Sequence, residues 1–91
     1  MSSPDEGQTY AEKALADYIT AEASPNPAFL PITRDTKLIE LGILDSLSIL
    51  KLVGFLEEKF GTKVDPEDVV SENFETIAAI TAYVSKKRGG S

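Results

Sequence analysis

The stretch SPNPAFLPITRDTKLIELG, from Ser24 to Gly42, limits this chain more than any other. Three prolines, Pro25, Pro27 and Pro31, exclude a regular helix through its first half. Each lacks the amide hydrogen that a helix needs, and its ring collides with the preceding turn. Yet Phe29, Leu30, Ile32, Leu38, Ile39 and Leu41 make the segment too apolar to lie in solvent. It is also long for a connection in a chain of 91 residues, which is one small domain with a single modest core. A long loop laid onto helices is therefore expected, and packed loops of this kind often carry function.

Helical patterns flank the loop. Tyr10, Ala14 and Tyr18, with Leu15 and Ile19, predict a first helix from about Ser3 or Thr9 to Ala23. Ser3-Pro4-Asp5-Glu6 reads as a cap followed by a proline at the first helical position, while Gly7 counts for the later start. A second helix is expected from Ser46 to about Phe60, with Gly61 as its stop. In VDPEDVV, Asp65 as cap and Pro66 at the first position predict a short third helix. SENFETIAAITAYVSKK then places Phe74, Ile77, Ile80 and Val84 on one face of a last helix, with Lys86, Lys87 and Arg88 at its C-terminus. No repeat, low-complexity tract or strand pattern competes. The expected fold is all-α, a small four-helix bundle of three longer helices plus one short third helix, with a long first loop. Residues 1–8 are expected to be a flexible N-terminal segment, 9–87 the folded domain and 88–91 a flexible tail.

Composition removes most chemistry. The chain has neither Cys nor His, so disulfides, thiol catalysis, thiolate zinc sites, a histidine base and histidine metal ligands are all excluded. No run of acids with a central glycine reads as a calcium loop, and no metal site is expected. Nine basic against fifteen acidic residues give a net charge of -6, which argues against nucleic-acid binding. No apolar run reaches the length of a membrane span, and the polar acidic start MSSPDEGQTY is unlike a signal peptide. No membrane association and a cytoplasmic location are the expectations. The polar start also favours a discrete protein.

The second helix has two faces. At about 100° per residue, Ile49, Leu52, Val53, Leu56 and Phe60 gather on one side as the core stripe, with Leu50 at its edge. Opposite them lie Leu47, Lys51, Gly54 and Glu58, flanked by Ser48 and Phe55, although Phe55 fits equally against the third helix. A glycine costs about 1 kcal/mol against alanine inside a helix, so Gly54 marks either a close approach by another surface or a merely tolerated position. Five acids, Asp65, Glu67, Asp68, Glu72 and Glu75, follow with no base between them. Such acids serve helix starts, or they steer a basic partner. The Asp45-Ser46 pair opens the second helix and reads by itself as a cap.

Taken together, LGILDSL, the helix ending LEEKFG, then DPEDV and NFETIAAITAYV resemble, in this order, the acyl carrier protein family, peptidyl and other thiolation domains included. The resemblance runs from about Tyr10 to Val84. It implies that Ser46 carries a covalent 4'-phosphopantetheine arm donated by coenzyme A, that Asp45 helps position that site, and that the chain is a carrier rather than an enzyme. The implied partners are a phosphopantetheinyl transferase, an acyl-loading enzyme and downstream synthase or tailoring enzymes. A monomer is expected. The implied partner face is Leu47, Lys51, Gly54 and Phe55 with Val69 and Val70, the last two reading equally well as core residues. Fatty-acid carriers of the family have acids just after the motif, where this chain has Ser48 and Lys51. The glycine pair common in peptidyl carriers is absent, since LGILDSL holds a single glycine. These departures point to a dedicated carrier of polyketide-type metabolism. The alternatives are a peptidyl or aminoacyl carrier of a nonribosomal pathway and an unmodified helical docking module.

Overall fold

The computed structural model describes residues 4–23 and 26–88, with side chains from Tyr10 to Ala23 and from Asn26 to Lys87. Four α-helices follow in order: α1, Pro4–Ala23; α2, Ser46–Phe60; α3, Ser71–Phe74; and α4, Ile77–Arg88. Tight 3-10 turns at Pro27–Phe29 and Pro66–Asp68 punctuate the connections, and no strand occurs among the described residues. The all-α bundle with one long first loop is the fold the sequence predicts. α1 begins at the earlier of the two expected starts, and the cap proposed at Ser3 lies outside the described residues. So do Pro25 of the loop and, among the ends expected to be flexible, residues 1–3 and 89–91.

The core is built where these elements meet. α1 packs on α4 and α2, and α3 on α4. Leu15 and Ile19 of α1, Leu52 and Leu56 of α2, Phe74 of α3, and Ile77 and Ile80 of α4 are fully buried. Leu38 from the long loop joins them at full burial, and Ile32, Ile43 and Leu44 are nearly as deep. Burying each such side chain stabilises the fold by about 1.5–3 kcal/mol. The loop is thus a fifth structural element, as its apolar residues foretold. Phe29 and Ile39 pack at the margin, whereas Leu30 and Leu41 stay exposed.

A buried loop must find partners for its backbone. Glu75, between α3 and α4, supplies three. Its carbonyl accepts the Leu38 amide at 2.7 Å. Its carboxylate accepts the amides of Ile39 at 2.8 Å and Glu40 at 3.1 Å. Further along, Ala78 donates its amide to the Arg34 carbonyl, and Leu44 to that of Leu38.

The third helix is not where the sequence puts it. Around Pro66 only a single 3-10 turn forms, and Asp65 makes no side-chain cap bond. Its carboxylate instead meets Lys87 Nζ at 2.8 Å, and the Tyr83 hydroxyl donates to Asp68 at 2.7 Å. These contacts tie the turn down onto α4 before it can continue as a helix. The stretch expected as one last helix is divided in two. Glu75 is drawn to the loop, and the Thr76 hydroxyl accepts the Ala79 amide at 3.0 Å, which restarts the chain as α4. α2 ends as predicted, at Gly61 with φ +64°, a left-handed geometry that favours glycine.

No helix among the described residues is long and apolar enough to cross a membrane.

Replacing Glu75 by alanine leaves the partly buried Ile39 amide and the exposed Glu40 amide without their acceptor, and the expected loss of stability is about 1–3 kcal/mol. Glu75→Gln, which keeps one carbonyl acceptor, should lose less. Denaturant unfolding, with amide exchange at Ile39 and Glu40 as the local readout, checks both. Equal stability of wild type and Glu75→Ala would remove Glu75 from its role as loop anchor.

Candidate functional site

The loop ends in a sharp division of labour within four residues. Ile43 and Leu44 point into the core, and Asp45 and Ser46 point out of it. Gly42 precedes them with φ +76°, the left-handed conformation that turns the chain towards the helix. The backbone just before the helix is therefore pinned from inside, and the first residue of α2 is held at the surface.

Asp45 is the N-cap. Its backbone is extended and its carboxylate accepts the Ser48 amide at 2.8 Å, while its carbonyl accepts the Ile49 amide at 2.9 Å. The Ser48 amide, and next the Ser48 hydroxyl, hold the Asp45 carboxyl below the usual carboxylate range. Ser46 is then the first helical residue and is not needed as a cap. It is exposed, and among the described residues no hydrogen bond engages its hydroxyl. The question the sequence leaves open, cap or usable serine, divides between the two residues: the aspartate caps and the serine is spare.

From Ser46 an exposed row runs down α2. Leu47 is 63% exposed, and Lys51 and Gly54 are exposed as expected. Lys51 lies 3.6 Å from Glu22 of α1. Leu50, expected at the edge of the core, is instead 65% exposed. It lies one turn beyond Ser46, on the same side of the helix, because residues four apart are neighbours. The signal was present in the sequence as that spacing, but the same residue also borders the core stripe. Phe55 faces α1 rather than the third helix: its ring stacks on Tyr18 with centroids 4.1 Å apart. Val69 is half-buried against the core, and Val70, just before α3, is 41% exposed. The structure therefore brings Leu47, Lys51 and Gly54 together beside Ser46, turns Phe55 towards α1, and gives Val69 a packing role.

The acidic run is largely spent internally. Lys87 sits 2.8 Å from Asp65 and 3.8 Å from Asp68, and Glu75 serves the loop. The Lys87 contact lowers the Asp65 pKa, and in return Asp65 raises that of Lys87. Burial, and then Asp68, push the Tyr83 hydroxyl up. A groove of about 720 Å³ beside this network is lined by Asp65, Asp68, Tyr83 and Lys87 and does not include Ser46. No cluster of acidic side chains suited to a metal ion occurs among the described residues.

An exposed, unengaged hydroxyl on a rigid helix start is suited to covalent loading by an outside enzyme, and the residues present fit such a group. Comparison with known proteins gives the same class. Residues 28–84 match the family model described as the phosphopantetheine attachment site. The chain is 40% identical over 58 residues to an acyl carrier protein of Thermotoga maritima, covering 64% of this chain and 69% of that protein. An acyl carrier protein of Borreliella burgdorferi is 38% identical over 58 residues, 64% and 70% of the two chains. A D-alanyl carrier protein of Abiotrophia defectiva is 36% identical over 53 residues, 58% and 67% of the two. The chain belongs to the phosphopantetheine carrier family. Its function is to carry acyl or peptidyl groups by way of phosphopantetheine, and it is not itself a catalyst.

The capping assignment has a pH signature. The Asp45 pKa is lower in the folded chain than the value of about 4 expected when unfolded. Its contribution to stability is therefore present above about pH 4 and is lost as pH falls through the lowered folded value. Asp45→Ala should lower the melting temperature at neutral pH, with the gap from wild type closing in acid. Ser46→Ala should melt with wild type throughout. A loss in Ser46→Ala as large as that in Asp45→Ala would return the capping role to the serine.

Proposed function

We propose that Ser46 is the residue that receives 4'-phosphopantetheine, from coenzyme A and by the action of a phosphopantetheinyl transferase. One observation carries this reading: Asp45 takes the cap, so Ser46 is left exposed with an unengaged hydroxyl at a start pinned by Ile43 and Leu44. Nothing in the fold would have to break for that hydroxyl to be modified. When attached, the arm supplies a terminal thiol on which an acyl group rides as a thioester. The chain's own part is to orient. α2 fixes the direction in which Ser46 points, and its first turn presents the positive end of the helix dipole to an incoming phosphate. Asp45 uses up one of those amides, and as a carboxylate next to Ser46 it is placed to assist the transferase's metal.

Residues 9–87 form the working carrier domain in this reading, which acts as a monomer in the cytoplasm. Leu47, Lys51 and Gly54 are its partner-facing residues, with Val70 beside α3 and the outer edge of Phe55. Val69, half-buried against the core, borders this face beside Val70. Its partners beyond the transferase are an acyl-loading enzyme and the synthase or tailoring enzymes that follow.

The cargo proposed is an acyl intermediate of polyketide-type metabolism. Support comes from Ser48 and Lys51, which stand where fatty-acid carriers of the family have acids. The Lys51 cation pairs with Glu22, so the second helix does not offer the negative face that a basic docking patch would grip. A second reading, an aminoacyl cargo, is favoured by the similarity to the D-alanyl carrier protein.

Intact mass after incubation with coenzyme A, magnesium and a broad-specificity phosphopantetheinyl transferase tests the site. Wild type should gain one phosphopantetheine, and Ser46→Ala should gain none while remaining folded by circular dichroism. A gain in Ser46→Ala, or no gain in a folded wild type, would sink the assignment.

A further inference from the structure

Away from Ser46, a groove of about 470 Å³ runs between α1 and α2, lined by Tyr10, Ala14, Tyr18 and Phe55. Tyr10, Ala14 and Tyr18 follow at intervals of four, so they form one row on α1. Tyr10 is exposed, and the small Ala14 between two tyrosines leaves a dip in the middle of the row. Tyr18 stacks on Phe55, and Phe60 meets Phe55 edge-on with centroids 6.2 Å apart. Part of the groove floor is therefore a fixed aromatic cluster.

Phe55 comes nine residues after Ser46, and at about 100° per residue it faces the opposite flank of α2. Leu47, Leu50, Gly54 and Val70 do not line the groove. Its charge also runs against that of the chain. Lys13, Asp17 and Lys59 stand on the rim, two cations to one acid on a chain of net charge -6. Lys13 and Asp17 pair with each other at 3.2 Å. Lys59 pairs with no carboxylate among the described residues, and its ammonium lies over the Tyr10 ring, 5.7 Å from the centroid. Such a contact leaves the positive charge uncompensated, because the ring has no net charge. Glu58 borders Phe55 and Lys59 without lining the groove.

We infer that the α1–α2 groove receives an acidic amphipathic helix of a partner protein, with a bulky apolar side chain seated at Ala14 and a carboxylate brought to Lys59. The row from Tyr10 to Tyr18 is about 12 Å long, roughly two helical turns, which matches apolar side chains four residues apart on a docking helix. The groove is open along its side, so a small ligand would keep much of its surface in water, whereas a helix has to bury only one face. Charge sets the sign of the partner. Carboxylates beside the apolar stripe are attracted to Lys59, and a basic helix is repelled there. The docking itself does not depend on Ser46. On the reading that Ser46 is modified, the partner stays seated on one flank of α2 while the serine on the other is passed between enzymes.

The test uses the full chain and a synthetic probe, a stapled helical peptide with leucines at i, i+4 and i+7 and glutamates beside them. A second peptide has lysines for the glutamates. Binding is followed by amide chemical shifts at about 0.15 M salt, where the chain's distant acids are screened. The acidic peptide should bind with a Kd of about 100 µM, and the lysine peptide should bind the groove about tenfold more weakly. The shifts should centre on Tyr10 to Tyr18 and Phe55 to Lys59. Lys59→Glu should reverse the order of the two peptides. Ala14→Gln fills the dip with a good helix former, so it should weaken the acidic peptide about tenfold with melting unchanged. Ser46→Ala should bind as wild type does. A Kd above about 1 mM, shifts centred on Leu47 and Leu50, or an order that Lys59→Glu does not reverse overturns the inference. Decanoate that moves the groove amides where the acidic peptide does not would give the groove to an acyl chain, and self-association in sedimentation would give it to a second copy; either overturns it too. A chain that binds the acidic peptide but takes no phosphopantetheine loses the Ser46 assignment and keeps the groove, so the two failures are distinguishable.

Discussion

A chain segment can enter a protein core only if its backbone amides and carbonyls find partners there, and everything about this molecule follows from how the long loop meets that condition. Glu75 meets it at the loop's deepest point. One residue, at the break between α3 and α4, receives three successive loop amides, two on its carboxylate and one on its carbonyl. With those satisfied, Leu38 can be buried completely. Ile43 and Leu44 then follow it inward, and Asp45 and Ser46 are left at the surface at a fixed point. A carboxylate does this better than a neutral acceptor, since bonds to an ionised group are the stronger ones. The same demand explains why the stretch from Ser71 onward is two helices: Glu75 cannot face the loop and also continue an uninterrupted helix.

Much of this could be read from residue types and spacing. The prolines and apolar residues of the loop announced a packed irregular segment. The α2 pattern gave the helix its limits and placed Leu52 and Leu56 inside. The parts that escaped share a physical cause: they depend on contacts between residues distant in sequence. Asp65-Pro66 has the local signature of a helix start, but Lys87, 22 residues away, takes the carboxylate for itself. Phe55 could not be assigned a neighbour until Tyr18 was seen to stack on it. Leu50 stood at the border of two faces, and which face it joined depended on how α1 sits against α2. Thr76 was legible in principle, as a hydroxyl residue three before Ala79, but the strong apolar period around it suggested one continuous helix.

The candidate site was legible for a different reason. Asp45 and Ser46 act through local geometry, a cap and the residue after it, and local geometry is what a short sequence encodes best. What the sequence left ambiguous was which of the two bears the structural role. A serine before an apolar helix is as good a cap as an aspartate on residue preference alone. The deciding fact is the register of the helix, which begins at Ser46 and so makes Asp45 the flanking residue.

The surface around that serine shows one pattern repeated. The two charged groups of α2 and its cap that lie nearest Ser46 in sequence are engaged elsewhere. The Asp45 carboxylate is on Ser48 and the Lys51 ammonium is beside Glu22. The fold is held by residues adjacent to the site and not by the site itself. The proposed modification of Ser46 requires that separation, because the serine has to be modified without unfolding the helix it begins. A chain with no histidine and no cysteine suits the same logic. It keeps no thiol or imidazole of its own and leaves the chemistry to the enzymes it serves.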